Sequence, residues 1–173
     1  MTHDPCTAPK HGDAALLETA GLDADERAVL HVMRYFFQSF TRSSTQGWMG
    51  TFRHALDQFP ADQAANVALA VLSVVQNMRI SRREVFRFSN PDCPGCCKVL
   101  CDDERQLIGI VVAMRRGQIS RAHTHALLIC EGNDTAPVLQ ATRELSHILA
   151  HCSNISGHAI PKGSEQAGLS EGM

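Results

Sequence analysis

The stretch from Ala61 to Met78 places the strongest constraint on the fold. It carries Val67, Leu69, Val71, Leu72, Val74, Val75 and Met78, and only Asn66, Ser73 and Asn77, with Gln76 beside them, leave a narrow polar stripe. A helix this apolar around its circumference must be covered on most sides, which puts it at the centre of a bundle. The apolar run is too short and too interrupted to span a bilayer, so other parts of the chain must supply the cover.

Several segments have the right periodicity to do so. Val29, Val32, Met33, Phe36 and Phe40 follow one helical face, preceded by Asp23 and Glu26 at capping-box spacing. Trp48, Phe52, Leu56 and Phe59, with the small Ala55, predict the buried stripe of a helix over 45–58, which Pro60 ends. A shorter helix is expected over Asp13–Ala20, closed by Gly21. After residue 101, Asp102 and Asp103 suit a helix N-terminus, with Leu107, Ile108, Val111, Val112 and Met114 buried and Gly117 as the stop. Ser120 opens a helix that runs to Cys130 and stops at Gly132. Asp134 caps the last one, whose core stripe is Val138, Ala141, Leu145, Ile148 and Leu149. Aromatic residues make up 5% of the chain, so this core must be mainly aliphatic. The expected architecture is an all-α, single-domain bundle of about six helices over 13–156, with flexible tails at 1–12 and 157–173.

One segment breaks the pattern. Between Ile80 and Cys101 helical spacing stops, Asn90-Pro91 and Pro94-Gly95 signal turns, and Cys93, Cys96, Cys97 and Cys101 fall within nine residues. An irregular stretch of about 20 residues inside a compact domain needs a staple or a function. Cys93-Pro94-Gly95-Cys96 has the spacing that lets two thiolates reach one tetrahedral metal. No second C-x-x-C or H-x-x-H pair follows, so further ligands must come from elsewhere. If the helices on either side of Gly117 form an antiparallel hairpin, Cys101 lies sixteen residues before the turn and Cys130 thirteen after it. At about 1.5 Å per residue they reach nearly the same height. The expected ligand set for a structural Zn²⁺ is therefore Cys93, Cys96, Cys101 and Cys130, with Cys97 or His125 as possible replacements. The same thiols could instead serve disulfide exchange or an iron–sulfur cluster. The plain alternative for Cys130 and Cys152 is that of small buried hydrophobes. Cys6, His3 and His11 fall in the expected N-terminal tail. His147 and His151 are spaced i, i+4, but no H-E-x-x-H pattern joins them, and they read as surface histidines, as does His123.

Charge and context narrow the partners. The net charge of −2 exerts no general pull on nucleic acid or anionic membrane. Residues 79–121 are nevertheless locally basic, at about +4 against about −6 for the rest. Arg79, Arg82, Arg83, Arg87, Arg115, Arg116 and Arg121 could form one patch. Its expected partner is another protein. Nucleic acid through the 79–121 region, with Phe86 and Phe88 as stacking rings, is the alternative. The N-terminus shows no signal-peptide pattern, and seven cysteines without a disulfide framework suit a reducing compartment, so the protein is expected to be cytoplasmic and not membrane-bound. There is no Gly-rich phosphate loop, no G-x-S-x-G and no carboxylate pair at meaningful spacing. The sequence thus describes a non-catalytic binding or regulatory protein built around a cysteine site.

Overall fold

The computed structural model describes residues 15–156. Among them are six α-helices: α1 (Ala24–Thr41), α2 (Gly47–Gln58), α3 (Ala64–Ser81), α4 (Asp102–Arg115), α5 (Ile119–Ile129) and α6 (Ala136–Ser156). The apolar helix α3 lies at the centre as its composition requires. Val67, Ala68, Val71, Val74, Val75 and Met78 are fully buried, and α3 packs on α1, α2 and α6. The expected tails at 1–12 and 157–173 lie outside the described residues, as do His3, Cys6 and His11.

Local chemistry sets most helix ends. At the start of α1, the Glu26 amide donates to Asp23 Oδ1 (2.8 Å) and the Asp23 amide donates to Glu26 Oε2 (3.0 Å), a reciprocal capping box. The amide of Ala136 donates to Asp134 Oδ1 at the start of α6 (3.0 Å). Helices α4 and α5 form the expected antiparallel hairpin. Gly117 takes φ +68° between them, a left-handed conformation that a residue with a Cβ adopts only at a cost.

Two expectations are corrected. No helix forms at 15–20. Ala15–Leu16 is a short strand, β1, paired antiparallel with β2 (Val99–Leu100) in the register Ala15 to Leu100 and Leu16 to Val99, and a single 3-10 turn follows at Leu17–Thr19. A segment this short cannot sustain helix nucleation alone, and its backbone finds partners on β2 while Leu17 enters the core. The second correction concerns α2, where Ala55 and Phe59 of the predicted stripe are buried but its three other members point outward. Trp48, Phe52 and Leu56 are 55%, 38% and 57% exposed, with Met49 beside them, whereas Gly47, Thr51 and Ala55 are buried. Close approach to α1 explains why the buried face is turned from the predicted one. A Cβ on Gly50 would lie 2.6 Å from Tyr35 Cδ1, and one on Gly47 would lie 2.7 Å from the Tyr35 carbonyl oxygen. The small face of α2 therefore fits against α1 where the large one could not.

Candidate functional site: the cysteine turn

The site is built on a compact turn. Asn90 Oδ1 accepts from the Asp92 amide (3.0 Å), and the Asn90 carbonyl accepts from the Cys93 amide (3.3 Å). The Cys97 amide donates to the Cys93 carbonyl (2.9 Å), opening a 3-10 turn over Cys96–Lys98. This winding brings the Cys96 amide to 3.4 Å from Cys93 Sγ. The N–H thus points where a thiolate would accept it. Cys97 Sγ turns the other way and donates to the Pro94 carbonyl (3.5 Å). Cys93, Cys96 and Cys97 are all partly exposed.

Two buried carboxylates in the first turn of α4 hold the surrounding segment. Glu104 accepts four hydrogen bonds. Arg34 Nε and the Ser89 amide donate to Oε1 (2.7 and 2.9 Å), and Arg34 Nη2 and the Cys101 amide donate to Oε2 (2.9 and 3.1 Å). The same guanidinium donates to the carbonyls of Cys97 (2.7 Å) and Val99 (2.6 Å). Both side chains are essentially inaccessible, and such burial is sustained only when every polar atom is matched. Asp103 Oδ2 accepts from the Arg87 amide (2.8 Å) and from Arg82 Nη2 (3.2 Å). Across the hairpin, Glu131 accepts from the amides of Arg83 (3.0 Å) and Glu84 (3.1 Å). Phe86 and Phe88 add apolar anchorage by stacking on Phe37, with ring centroids 4.0 and 5.7 Å away. Charge, hydrogen bonds and aromatic packing therefore supply the staple that the irregular segment needs.

The predicted ligands have different surroundings. Cys93 and Cys96 share one turn. Cys101, at the N-cap of α4, donates its thiol to the Arg87 carbonyl (3.0 Å), and burial, with the Glu104 charge second, pushes its pKa up to about 12. Cys130 is buried at the C-terminal end of α5 beside Ser81 and Arg82, and burial raises its pKa as well. The ends of α4 and α5 that carry Cys101 and Cys130 do face one another, but Arg82 spans the space between them. It donates to the Ile129 carbonyl (3.2 Å) and to Asp103. Among the described residues, no group of three or more His, Cys, Asp or Glu is arranged to hold a metal ion. His125 lies further along the hairpin, its Nδ1 2.7 Å from Gln106 Oε1 and its ring against Gly109. His151 Nδ1 lies 2.8 Å from the His147 carbonyl oxygen, so the backbone occupies one nitrogen of that pair.

The basic region is divided by its own ion pairs. Arg82 meets Asp103 and Glu131, whereas Arg115 and Arg116 at the far end of α4 meet Asp23, Asp25 and Glu26. Arg79 lies 4.0 Å over the Phe40 ring. With Phe86 and Phe88 also committed to Phe37, the rings expected to stack on bases are already stacked internally.

Sequence reasoning missed Arg34, Tyr35 and Glu131, and it assigned Asp103 and Glu104 to helix capping alone. A signal for Arg34 existed. Its helical neighbours Leu30 and Phe37, at i−4 and i+3, are both buried, so a charged residue between them needs a buried counterion. Tyr35 joins the turn to α2. Its hydroxyl donates to Asp92 Oδ1 (3.3 Å), and Asp92 Oδ2 accepts from Gln38 Nε2 (2.7 Å). The Tyr35 ring packs on Gly50 and stands 6.2 Å from the His54 ring, which in turn lies 5.2 Å from His31. Among the described residues, His54 Nε2 is the buried side-chain atom left without a hydrogen-bond partner.

No protein-family model matches this chain, and neither a curated protein nor a solved structure is similar to it. Among the described residues, no helix is long and apolar enough to cross a membrane.

Proposed function

We propose that the protein is a non-catalytic regulatory module whose working element is the Cys93–Cys96 dithiol, reacting with small-molecule disulfides. The observation that carries this reading is the Cys96 amide directed at Cys93 Sγ within a partly exposed C-x-x-C turn. In the reaction, one thiolate attacks a sulfur of the disulfide and expels one thiolate, leaving a mixed disulfide. The second cysteine then attacks the protein-bound sulfur and expels the other. The turn gains one S–S bond and loses two protons and two electrons, while the disulfide is reduced to two thiols. Cys101 and Cys130, buried and held as neutral thiols, stay out of this exchange. A cytoplasmic setting, where such a pair rests reduced, fits this role.

A second reading keeps the cysteines as a zinc site. The same amide-to-sulfur geometry suits a metal-bound thiolate, and Cys93 and Cys96 would supply half of a tetrahedral set. For Cys101 to join, its thiol would have to give up the Arg87 carbonyl, and Cys130 would have to be reached past Arg82. The iron–sulfur reading needs the same rearrangement.

One preparation tests all of these readings. Protein purified without oxygen is analysed for metals, exposed to oxidised glutathione, and mapped by differential alkylation and mass spectrometry. The expected result is metal-free protein that gains a Cys93–Cys96 disulfide while Cys101 and Cys130 remain reduced. One equivalent of zinc with Cys93 and Cys96 protected would move the conclusion to the second reading, and iron with sulfide would move it to the cluster. Metal-free protein whose turn resists oxidation would remove all three.

A further inference from the structure

We infer that Asp92 and Tyr35 transmit the state of the cysteine turn to α2. This inference rests on the dithiol reading for its input. Asp92 is covalently next to Cys93, and its side chain reaches α1, where it accepts from Gln38 Nε2 at 2.7 Å, an amide that also lies 3.5 Å from Asn90 Oδ1, and from the Tyr35 hydroxyl at 3.3 Å. Tyr35 is also the residue on which α2 is seated. Its ring fills the space that a Cβ on Gly50 would need, its carbonyl oxygen does the same at Gly47, and Ser39 Oγ donates to that carbonyl (2.9 Å). The chain of contact from Cys93 to α2 is therefore two residues long, and its longest hydrogen bond is the one between Asp92 and Tyr35.

Closing a Cys93–Cys96 disulfide draws Cys93 toward Cys96 and carries Asp92 with it. The Cys96 amide also loses a thiolate acceptor, so the turn must rewind about Pro94 and Gly95. The Arg34–Glu104 lattice grips the backbone at Ser89, Cys97 and Val99 on either side of the turn. These anchors limit the displacement to residues 90–96, and its route to α2 runs through Asp92 and Tyr35. Loss of the Tyr35 bond frees the ring that lies between α1 and α2. Helix α2 leans on this contact heavily because its inner face is built from Gly47, Gly50, Thr51 and Ala55 and offers few large side chains to replace it. The outer face of the same helix is the row Trp48, Met49, Phe52 and Leu56, so the helix that is loosened carries an exposed apolar surface.

Amide hydrogen exchange of the full chain, reduced and after treatment with oxidised glutathione, tests this coupling. Oxidation is expected to speed exchange across 47–58 roughly fivefold, the equivalent of one hydrogen bond, with α6 unchanged. Asp92→Ala tests the route without any thiol chemistry. In the reduced protein it should reproduce the fast exchange of α2, and oxidation should add nothing further. Tyr35→Phe keeps the ring on Gly50 and should behave in the same way. If the disulfide forms while 47–58 exchanges at the same rate, the coupling is overturned and the dithiol reading survives. If the disulfide does not form, the dithiol reading falls, and the coupling stands or falls with Asp92→Ala alone. Unchanged exchange in that variant overturns it.

Discussion

Arg34 and Glu104, seventy residues apart in sequence, form a two-point ion pair in the interior, with Nε 2.7 Å from Oε1 and Nη2 2.9 Å from Oε2. Four backbone groups of the 80–101 segment, the carbonyls of Cys97 and Val99 and the amides of Ser89 and Cys101, bond to this pair. Removing one partner strands the other in an apolar interior. Glu104→Gln is therefore expected to lower the unfolding free energy by about 3 kcal/mol or more, read from urea denaturation. Arg34→Met should cost a similar amount. The double variant should cost clearly less than the sum, because the two losses are one interaction.

Cys93→Ser separates the staple from the thiols. The segment is fastened by Glu104, Asp103 and Glu131, so the substitution should change the stability of the reduced protein by less than about 0.5 kcal/mol. It should also abolish disulfide formation at the turn. A cysteine that held a structural metal would instead cost several kcal/mol, since metal binding and folding would be one process. A large loss on Cys93→Ser alone would favour zinc.

Gly50→Ala inverts the usual helix preference. Alanine is favoured over glycine by about 1 kcal/mol in a helix interior, yet at this position its methyl would meet the Tyr35 ring 2.6 Å away. The variant should be destabilised by about 1–3 kcal/mol, as overpacked sites are, and its melting temperature should fall. A stabilised variant would show that α2 can move away from α1 at no cost.

Acid should weaken the α1–α2 contact. His31 is depressed from its ordinary 6.5 to about 4, chiefly by burial and then by the charges of Arg34 and His54. His54 is lowered as well, mainly by burial, against an opposing effect of Asp57. In the folded protein both rings resist protonation, whereas in the unfolded chain they take it up near 6.5. Stability is therefore complete above that value and declines as pH falls from 6.5 toward 4, because the unfolded state binds more protons. Melting curves across that interval should show the decline for the natural chain and a shallower one for His31→Gln. Equal slopes would locate the acid sensitivity elsewhere.

Much of the fold was legible because it is local. The capping box at Asp23 and Glu26, the stop at Gly117 and the apolar character of α3 are written in residues a few positions apart. Once the α4–α5 hairpin is assumed, counting residues sets Cys101 and Cys130 at one end of it. The orientation of α2 was not legible. The predicted stripe holds Ala55 and Phe59, which are buried, together with Trp48, Phe52 and Leu56, which are not, and the proximity of Tyr35 to Gly47 and Gly50 turns the helix from the predicted face. The same holds for the candidate site. The spacing of Cys93 and Cys96 announced a turn, but the ion pairs that shape its surroundings join residues from α1, α4 and the end of α5, and pairing over such separations leaves no periodic trace. Arg82, which spans the gap between Cys101 and Cys130, is itself part of the segment whose position was in question.

The first turn of α4 acts as the template for everything between α3 and β2. Asp103 and Glu104 can grip the backbone at Arg87, Ser89 and Cys101 only once they are themselves wound into a helix. The segment therefore has no shape of its own to export. A peptide spanning residues 82–101 would not keep its fold, and transplanting the cysteine turn onto another scaffold would require carrying across the opening of α4, together with an arginine placed as Arg34 is.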